Sequence, residues 1–185
     1  IGPKNTPYQN GYYFFHFLFP EDYPYSPPKV TYLTNDGITR FHPNFYRNGK
    51  CCLSILNTWK GDEWTSCLTI SSVLLSICIL LTDNPLLHEP GIRENHPEIK
   101  RYNEIIEYKN NYIAIYNVLT SKSYLYDIFS DIICKHFNEN KSGILENLEN
   151  KSSDRKKISV GVYDMNNIVI DYPLLIKNIK KIEIK

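Results

Sequence analysis

His42-Pro43-Asn44-Phe45-Tyr46-Arg47-Asn48-Gly49-Lys50-Cys51-Cys52-Leu53-Ser54-Ile55-Leu56 is the stretch that decides the fold. Two turn signals, Pro43-Asn44 and Asn48-Gly49, flank the apolar run Cys51–Leu56, which reads as a loop or a partial strand. Side chains alternate in an extended segment, so only one of the two adjacent cysteines can face a cleft. Upstream, Gly11–Phe19 is crowded with aromatics and reads as a strand covered on at least one face. Four prolines in Phe19–Pro28 forbid a regular helix or central strand there, and Val30–Thr34 follows as a second short strand before the turn Asn35-Asp36-Gly37.

Downstream, Thr69–Thr82 carries Ile70, Val73, Leu74, Ile77, Leu80 and Leu81 at helical spacing, and is apolar enough to predict a largely buried helix. Thr69 is placed to cap its start, and Asp83-Asn84-Pro85 ends it. A second helix is expected from His96-Pro97-Glu98 to about residue 119, and a third over Ser123–Phe137. Asn138–Lys157 is polar and turn-prone, and reads as a loop or linker around a short helical piece. The tail from Ile158 mixes β-branched runs with a helical segment after Pro173.

Length and charge bound the function. A chain of 185 residues makes one domain with some chain left over, and needs no disulfide or metal staple. With 21 Lys and Arg against 20 Asp and Glu, it lacks the bulk charge of a nucleic-acid binder or a polybasic membrane-surface protein. No apolar run reaches a membrane span, since Ile70–Leu81 is short and broken by serines. Five cysteines without a CxxC pair exclude a zinc ribbon, and reduced thiols in an intracellular compartment, cytoplasmic or nuclear, are the simplest reading. Residue 1 is Ile and the only Met is Met165, so a longer native protein is expected.

Three ordered motifs resemble the ubiquitin-conjugating enzyme family. The family carries a His-Pro-Asn tripeptide, a glycine-containing turn and a nucleophilic cysteine followed by Leu, with the Asn eight positions before the Cys. Asn44 and Cys52 keep that register, and Cys51 falls where the family has Ile or Val. Phe19-Pro20-x-x-Tyr23-Pro24-x-x-Pro27-Pro28-Lys29-Val30 looks like the family's proline-rich loop, and Trp64 with Leu68–Ile77 resembles its crossover helix. Thr58-Trp59-x-Gly61-x-x-Trp64 and His88-Glu89-Pro90-Gly91 are similar to the Z-type members and to large hybrid conjugating/ligase proteins, and the Z type carries a C-terminal extension.

The resemblance implies an α+β fold with an antiparallel meander sheet, an active-site loop, a buried crossover helix and C-terminal helices. Residues 1–119 would form the catalytic core, without the family's first helix and strand, and residues 120–185 a C-terminal helical extension. It implies transfer of ubiquitin, or a ubiquitin-like protein, from an activating enzyme to Cys52 and then to a substrate lysine, with a ligase as further partner. ATP is consumed by the activating enzyme, so neither cofactor nor metal is expected. Nor is a nucleic-acid or membrane partner.

Physical chemistry supports those roles independently. A thiol takes an acyl group through its thiolate and releases it readily to an amine. Negative charge then develops on the thioester oxygen, and losing one amide donor aimed at it typically costs ~2.7–4 kcal/mol. Asn44 is the natural donor, while His42 and Pro43 shape the loop that aims it. By alignment, Glu89 stands where the family orients the acceptor lysine, with a solvated loop residue as the competing assignment. Tyr25 and the pair Thr65-Ser66 occupy loops that ligases contact in the family, although Thr65-Ser66-Cys67 departs from the usual Ser-Pro-Ala. Cys67, Cys78 and Cys134 read as small buried hydrophobes. Two rivals stand beside this: a catalytically silent module that only positions ubiquitin, and a cysteine hydrolase built on Cys52 and His42.

Overall fold

The aromatic stretch near the N-terminus forms β1, Phe15–Leu18, which pairs antiparallel with β2, Lys29–Tyr32; Phe15 stands opposite Tyr32 and Leu18 opposite Lys29. This geometry comes from a computed structural model, which describes residues 1–121, 124–151 and 154–183. Beyond β2 the meander is carried by single bridges, Thr31 to Lys50 and Phe45 to Cys51, rather than by a full third strand. Tyr32 N–H donates to the Gly49 carbonyl at 2.7 Å, so the turn before the cysteines is laid against the sheet. Phe15, Tyr32 and Phe45 stack within 5.2–5.5 Å of one another and continue the sheet's inner face under the loop. Ser54–Leu56 closes as one 3₁₀ turn instead of the expected loop or partial strand.

Helix α1 spans Ile70–Leu80, and Thr69 caps it in a reciprocal arrangement with Ser72. Its burial is narrower than its composition predicts. Val73 and Ile77, one turn apart, are buried and Leu80 packs partly against the core, while Ile70, Leu74, Leu75 and Ile79 are exposed. A helix apolar all round gives no clue to which side is covered, so the sequence overstated its burial. The expectation of buried cysteines fails with it: Cys78 and, further upstream, Cys67 are exposed, and Cys134 is half-buried.

The second predicted helix is one rod of three geometries. Regular α2, Ile99–Lys109, passes into a π-helical segment, Asn110–Asn117, and ends in the turn α3, Val118–Thr120. The wider turn brings Asn110 inward, where its Oδ1 accepts from Tyr13 Oη at 2.6 Å and its Nδ2 donates to the Gln9 carbonyl at 2.9 Å. A side chain at residue 11 would collide with that Oδ1, which accounts for Gly11.

Residues 120–185 differ most from expectation. Helix α4 runs unbroken over Tyr124–Glu149, through the segment expected to be a linker. An antiparallel hairpin follows, β3 Lys156–Val160 with β4 Met165–Ile170, and then α5, Tyr172–Lys180, which Asp171 caps. The extension is therefore mixed, not purely helical. It shares one hydrophobic core with the rest: Phe137, Ile144, Leu148, Val160, Met165, Ile170 and Ile179 are buried in the same cluster as Tyr8, Phe41, Phe45 and Tyr102. Among the described residues no helix is long and apolar enough to cross a membrane, and no metal-ligating cluster occurs.

Candidate active site

The site is built on the turn Phe41–Phe45. Phe41 is wholly buried, and Tyr8, wholly buried too, donates its hydroxyl to the Phe41 carbonyl at 2.6 Å. His42 turns inward between Phe45 and His88, with ring centroids 5.2 and 5.0 Å away. Its Nδ1 accepts the Asn44 N–H at 3.0 Å, so the proton sits on Nε2, which lies near the Leu80 carbonyl and makes no well-formed hydrogen bond among the described residues. Burial drives the His42 pKa well below the usual value, and the neighbouring His88 and Arg40 push the same way. The enclosed imidazole, bonded to its own loop, braces the turn that carries Asn44.

Arg40 is a residue that motif reading passed over. Its Nε donates to the His42 carbonyl at 3.1 Å and its Nη2 to the Pro43 carbonyl at 2.6 Å, while the guanidinium lies 3.4 Å over the Tyr46 ring. The fork thus ties down the two carbonyls immediately before Asn44. An arginine two positions before the His-Pro pair was the available signal.

Asn44 and Cys52 are joined in both directions. Cys52 N–H donates to the Asn44 carbonyl at 2.9 Å, and Asn44 Nδ2 donates to the Cys52 carbonyl at 2.6 Å. The amide donor is thus held beside residue 52 by two independent bonds. Both cysteines are 2% exposed, so exposure does not distinguish them, but their surroundings do. Cys51 belongs to the hydrophobic core and lies 3.8 Å from the Gly49 carbonyl, whereas Cys52 is outside that cluster. Burial pushes the Cys51 thiol up to about 12, with the Tyr32 backbone amide opposing and Cys52 adding to the rise. Cys51 is therefore a thiol with almost no thiolate near neutrality.

Thr58, also missed, pins the segment after the cysteines. Its hydroxyl accepts from Leu53 N–H at 2.9 Å and lies 2.9 Å from the Cys51 carbonyl. Trp64 is buried, and its indole donates to the Pro24 carbonyl at 2.7 Å. That bond carries the proline-rich loop with Tyr25, 81% exposed, alongside the exposed pair Thr65-Ser66. Glu89 lies outside this group. Its carboxylate accepts from Tyr163 Oη at 2.6 Å, a residue of the C-terminal hairpin that motif reading gave no role.

An α+β fold with a His-Pro-Asn turn bonded to a cysteine loop, a crossover helix and a proline-rich loop is the arrangement of the ubiquitin-conjugating enzyme family. The family model for ubiquitin-conjugating enzymes matches residues 1–114, and the chain belongs to that family. Within it, the chain is 49% identical over 124 residues to ubiquitin-conjugating enzyme E2 Z of Danio rerio, covering 65% of this chain and 38% of that protein. It is 36% identical over 168 residues to probable ubiquitin-conjugating enzyme protein 17 of Caenorhabditis elegans, covering 83% of this chain and 23% of that one. The dual E2 ubiquitin-conjugating enzyme/E3 ubiquitin-protein ligase BIRC6 of Homo sapiens is 35% identical over 170 residues, covering 85% of this chain and 3% of its own length. The chain spans less than half the length of these relatives. The last two matches cover more of the chain than residues 1–114 supply, so similarity continues into the C-terminal extension.

Proposed function

We propose that this chain accepts ubiquitin, or a ubiquitin-like protein, from an activating enzyme as a thioester on Cys52 and passes it to a substrate lysine. The pair of hydrogen bonds between Asn44 and Cys52 is the observation that carries this, because it holds an amide donor against the residue that must bear the acyl group. In loading, the Cys52 thiolate attacks the carbonyl carbon of the thioester on the activating enzyme. A new C–S bond forms, the old one breaks, and the activating enzyme's cysteine leaves as thiolate. In discharge, a neutral lysine amine attacks the same carbon, and Asn44 Nδ2 donates to the developing oxyanion. Cys52 then leaves as thiolate, an isopeptide bond remains, and the amine proton passes through solvent to the departing sulfur, with Glu89 assigned to orient the lysine. Attack by a neutral amine needs only desolvation to lower the lysine pKa, so no metal or cofactor enters, and ATP is used by the activating enzyme.

Tyr25, Thr65 and Ser66 serve in this proposal as the ligase-facing surface, supported by their exposure and by the Trp64 bond that joins their loops. Five cysteines without a disulfide suit a reducing interior, cytoplasmic or nuclear. The enclosure of Cys52 favours one rival, the silent module, over the hydrolase. A charging assay on the complete native protein separates the two readings. With activating enzyme, ATP and ubiquitin, we expect a thiol-sensitive adduct one ubiquitin heavier, lost in Cys52→Ala and kept in Cys51→Ala. No adduct with any ubiquitin-like protein and its activating enzyme would establish the silent module.

A further inference from the structure

The tip of the C-terminal hairpin reaches the active-site loop at several points. Tyr163 Oη donates to Glu89, its ring lies 5.2 Å from the Arg40 guanidinium, and its carbonyl accepts from Arg47 Nη2. Met165 Sδ accepts the Arg40 N–H at 3.4 Å. On the other side the tip is gripped by Glu98, whose carboxylate accepts from Gly161 N–H at 2.8 Å and Val162 N–H at 3.0 Å. Burial alone would raise the Glu98 pKa. Those two amides, with Arg101 and His96, outweigh it and hold the carboxyl below its usual range. Glu98 stands at the N-terminal cap of α2 yet makes no cap bond, so its hydrogen-bonding capacity is spent on the hairpin.

We propose that Tyr163 is a positioning residue for the discharge step, acting through Arg40 on the Asn44 turn and through its hydroxyl on Glu89. The Arg40 guanidinium lies over the rings of both Tyr46 and Tyr163 and, from there, fixes the His42 and Pro43 carbonyls. Its own carbonyl is taken by Tyr102 Oη at 2.7 Å, and Tyr102 packs 5.9 Å from Tyr163. Removing the Tyr163 ring frees one side of the guanidinium, and the two carbonyls ahead of Asn44 lose their fixed partner. Glu89, without the phenol, loses the hydrogen bond that sets its direction. The C-terminal extension is in this way part of the reaction centre's support and not an appended module. This inference rests on the thioester-transfer reading given above.

Single-turnover discharge of thioester-loaded protein to free lysine, in the complete native protein, tests it. Tyr163→Leu should load ubiquitin to the same level as wild type and lower the discharge rate at saturating lysine about tenfold, the scale of a small loss of alignment. Tyr163→Phe keeps the ring over Arg40 and removes only the Glu89 bond. It should recover the saturated rate and raise KM for lysine about threefold. Equal discharge constants in wild type and Tyr163→Leu would overturn the proposal. So would parallel loss of loading, discharge and melting temperature in both variants, which is what a merely structural tyrosine gives. Failure of the wild type to load would instead remove the underlying transfer reading, so the two failures are distinguishable.

Discussion

Asn44→Ala separates a structural asparagine from a catalytic one, because the two roles carry different magnitudes. As a structural group, the side chain contributes one neutral bond, Nδ2 to the Cys52 carbonyl at 2.6 Å, in a half-buried position. Such a bond is worth about 0.5–1.5 kcal/mol, which for a chain of this size lowers the melting temperature by a few degrees. As an oxyanion donor, it supplies about 2.7–4 kcal/mol in the transition state. It must first leave the Cys52 carbonyl, so about 1 kcal/mol is given back and the net is about 1.5–3 kcal/mol. That converts to a discharge rate roughly 10- to 150-fold slower. The assay is pre-loading of the thioester, quenching of the activating enzyme, and timing of discharge to free lysine beside a thermal melt. We expect normal loading, a small melting shift and a discharge defect within that range. A defect under about threefold, matched by a similar loss of loading, would refute a catalytic amide at residue 44.

Three further outcomes follow from the packing. Lys109 and Asp36 form a largely enclosed pair at 2.8 Å. Burial pushes the Asp36 carboxyl up, but Lys109 and the Thr39 amide outweigh it, so its folded pKa lies below its unfolded one. The unfolded chain therefore binds more protons as pH falls, and the pair's contribution is complete above an ordinary carboxyl pKa of ~3.9 and lost below it. Lys109→Met should cost about 1.5–3 kcal/mol at pH 7 by denaturant titration, a gap that closes toward pH 3; an unchanged gap at pH 3 would contradict this assignment. Tyr8→Phe strips the buried Phe41 carbonyl of its donor and should cost about 1–3 kcal/mol by thermal melting, whereas an unshifted melt would show the carbonyl finds another partner. Timed iodoacetamide labelling at pH 8, read by peptide mass, should modify exposed Cys67 and Cys78 first and Cys51 only on unfolding; early labelling of Cys51 would contradict its high pKa.

What the sequence made legible was local. Thr69 before an apolar run announced the capped start of α1, and the register of Asn44 with Cys52 is realised in bonds between those two residues. The long α4 was hidden because its polar half, 138–149, carries only Ile144, Leu145 and Leu148 after Phe137. That sparse stripe is helical because Ile144 and Leu148 join the core shared with Leu175 and Ile179 on α5. The π-helical turn at Asn110 is fixed by bonds to Tyr13 and Gln9, about a hundred positions away, which no local window contains. Glu98 and Tyr163 were illegible for the same reason. Each acts on a partner brought near only by the packing of the hairpin beside α2.

Whether the acyl group resides on Cys52 or on its neighbour is decided by the Cys52→Ser variant. The serine variant of the complete protein is incubated with activating enzyme, ATP and ubiquitin, then digested after Lys50 and Lys60, and the modified peptide is fragmented in a mass spectrometer. We expect an adduct that resists thiol, is cleaved by hydroxide, and places the ubiquitin C-terminus on residue 52. A thiol-labile adduct whose fragments place the modification on Cys51 would contradict it.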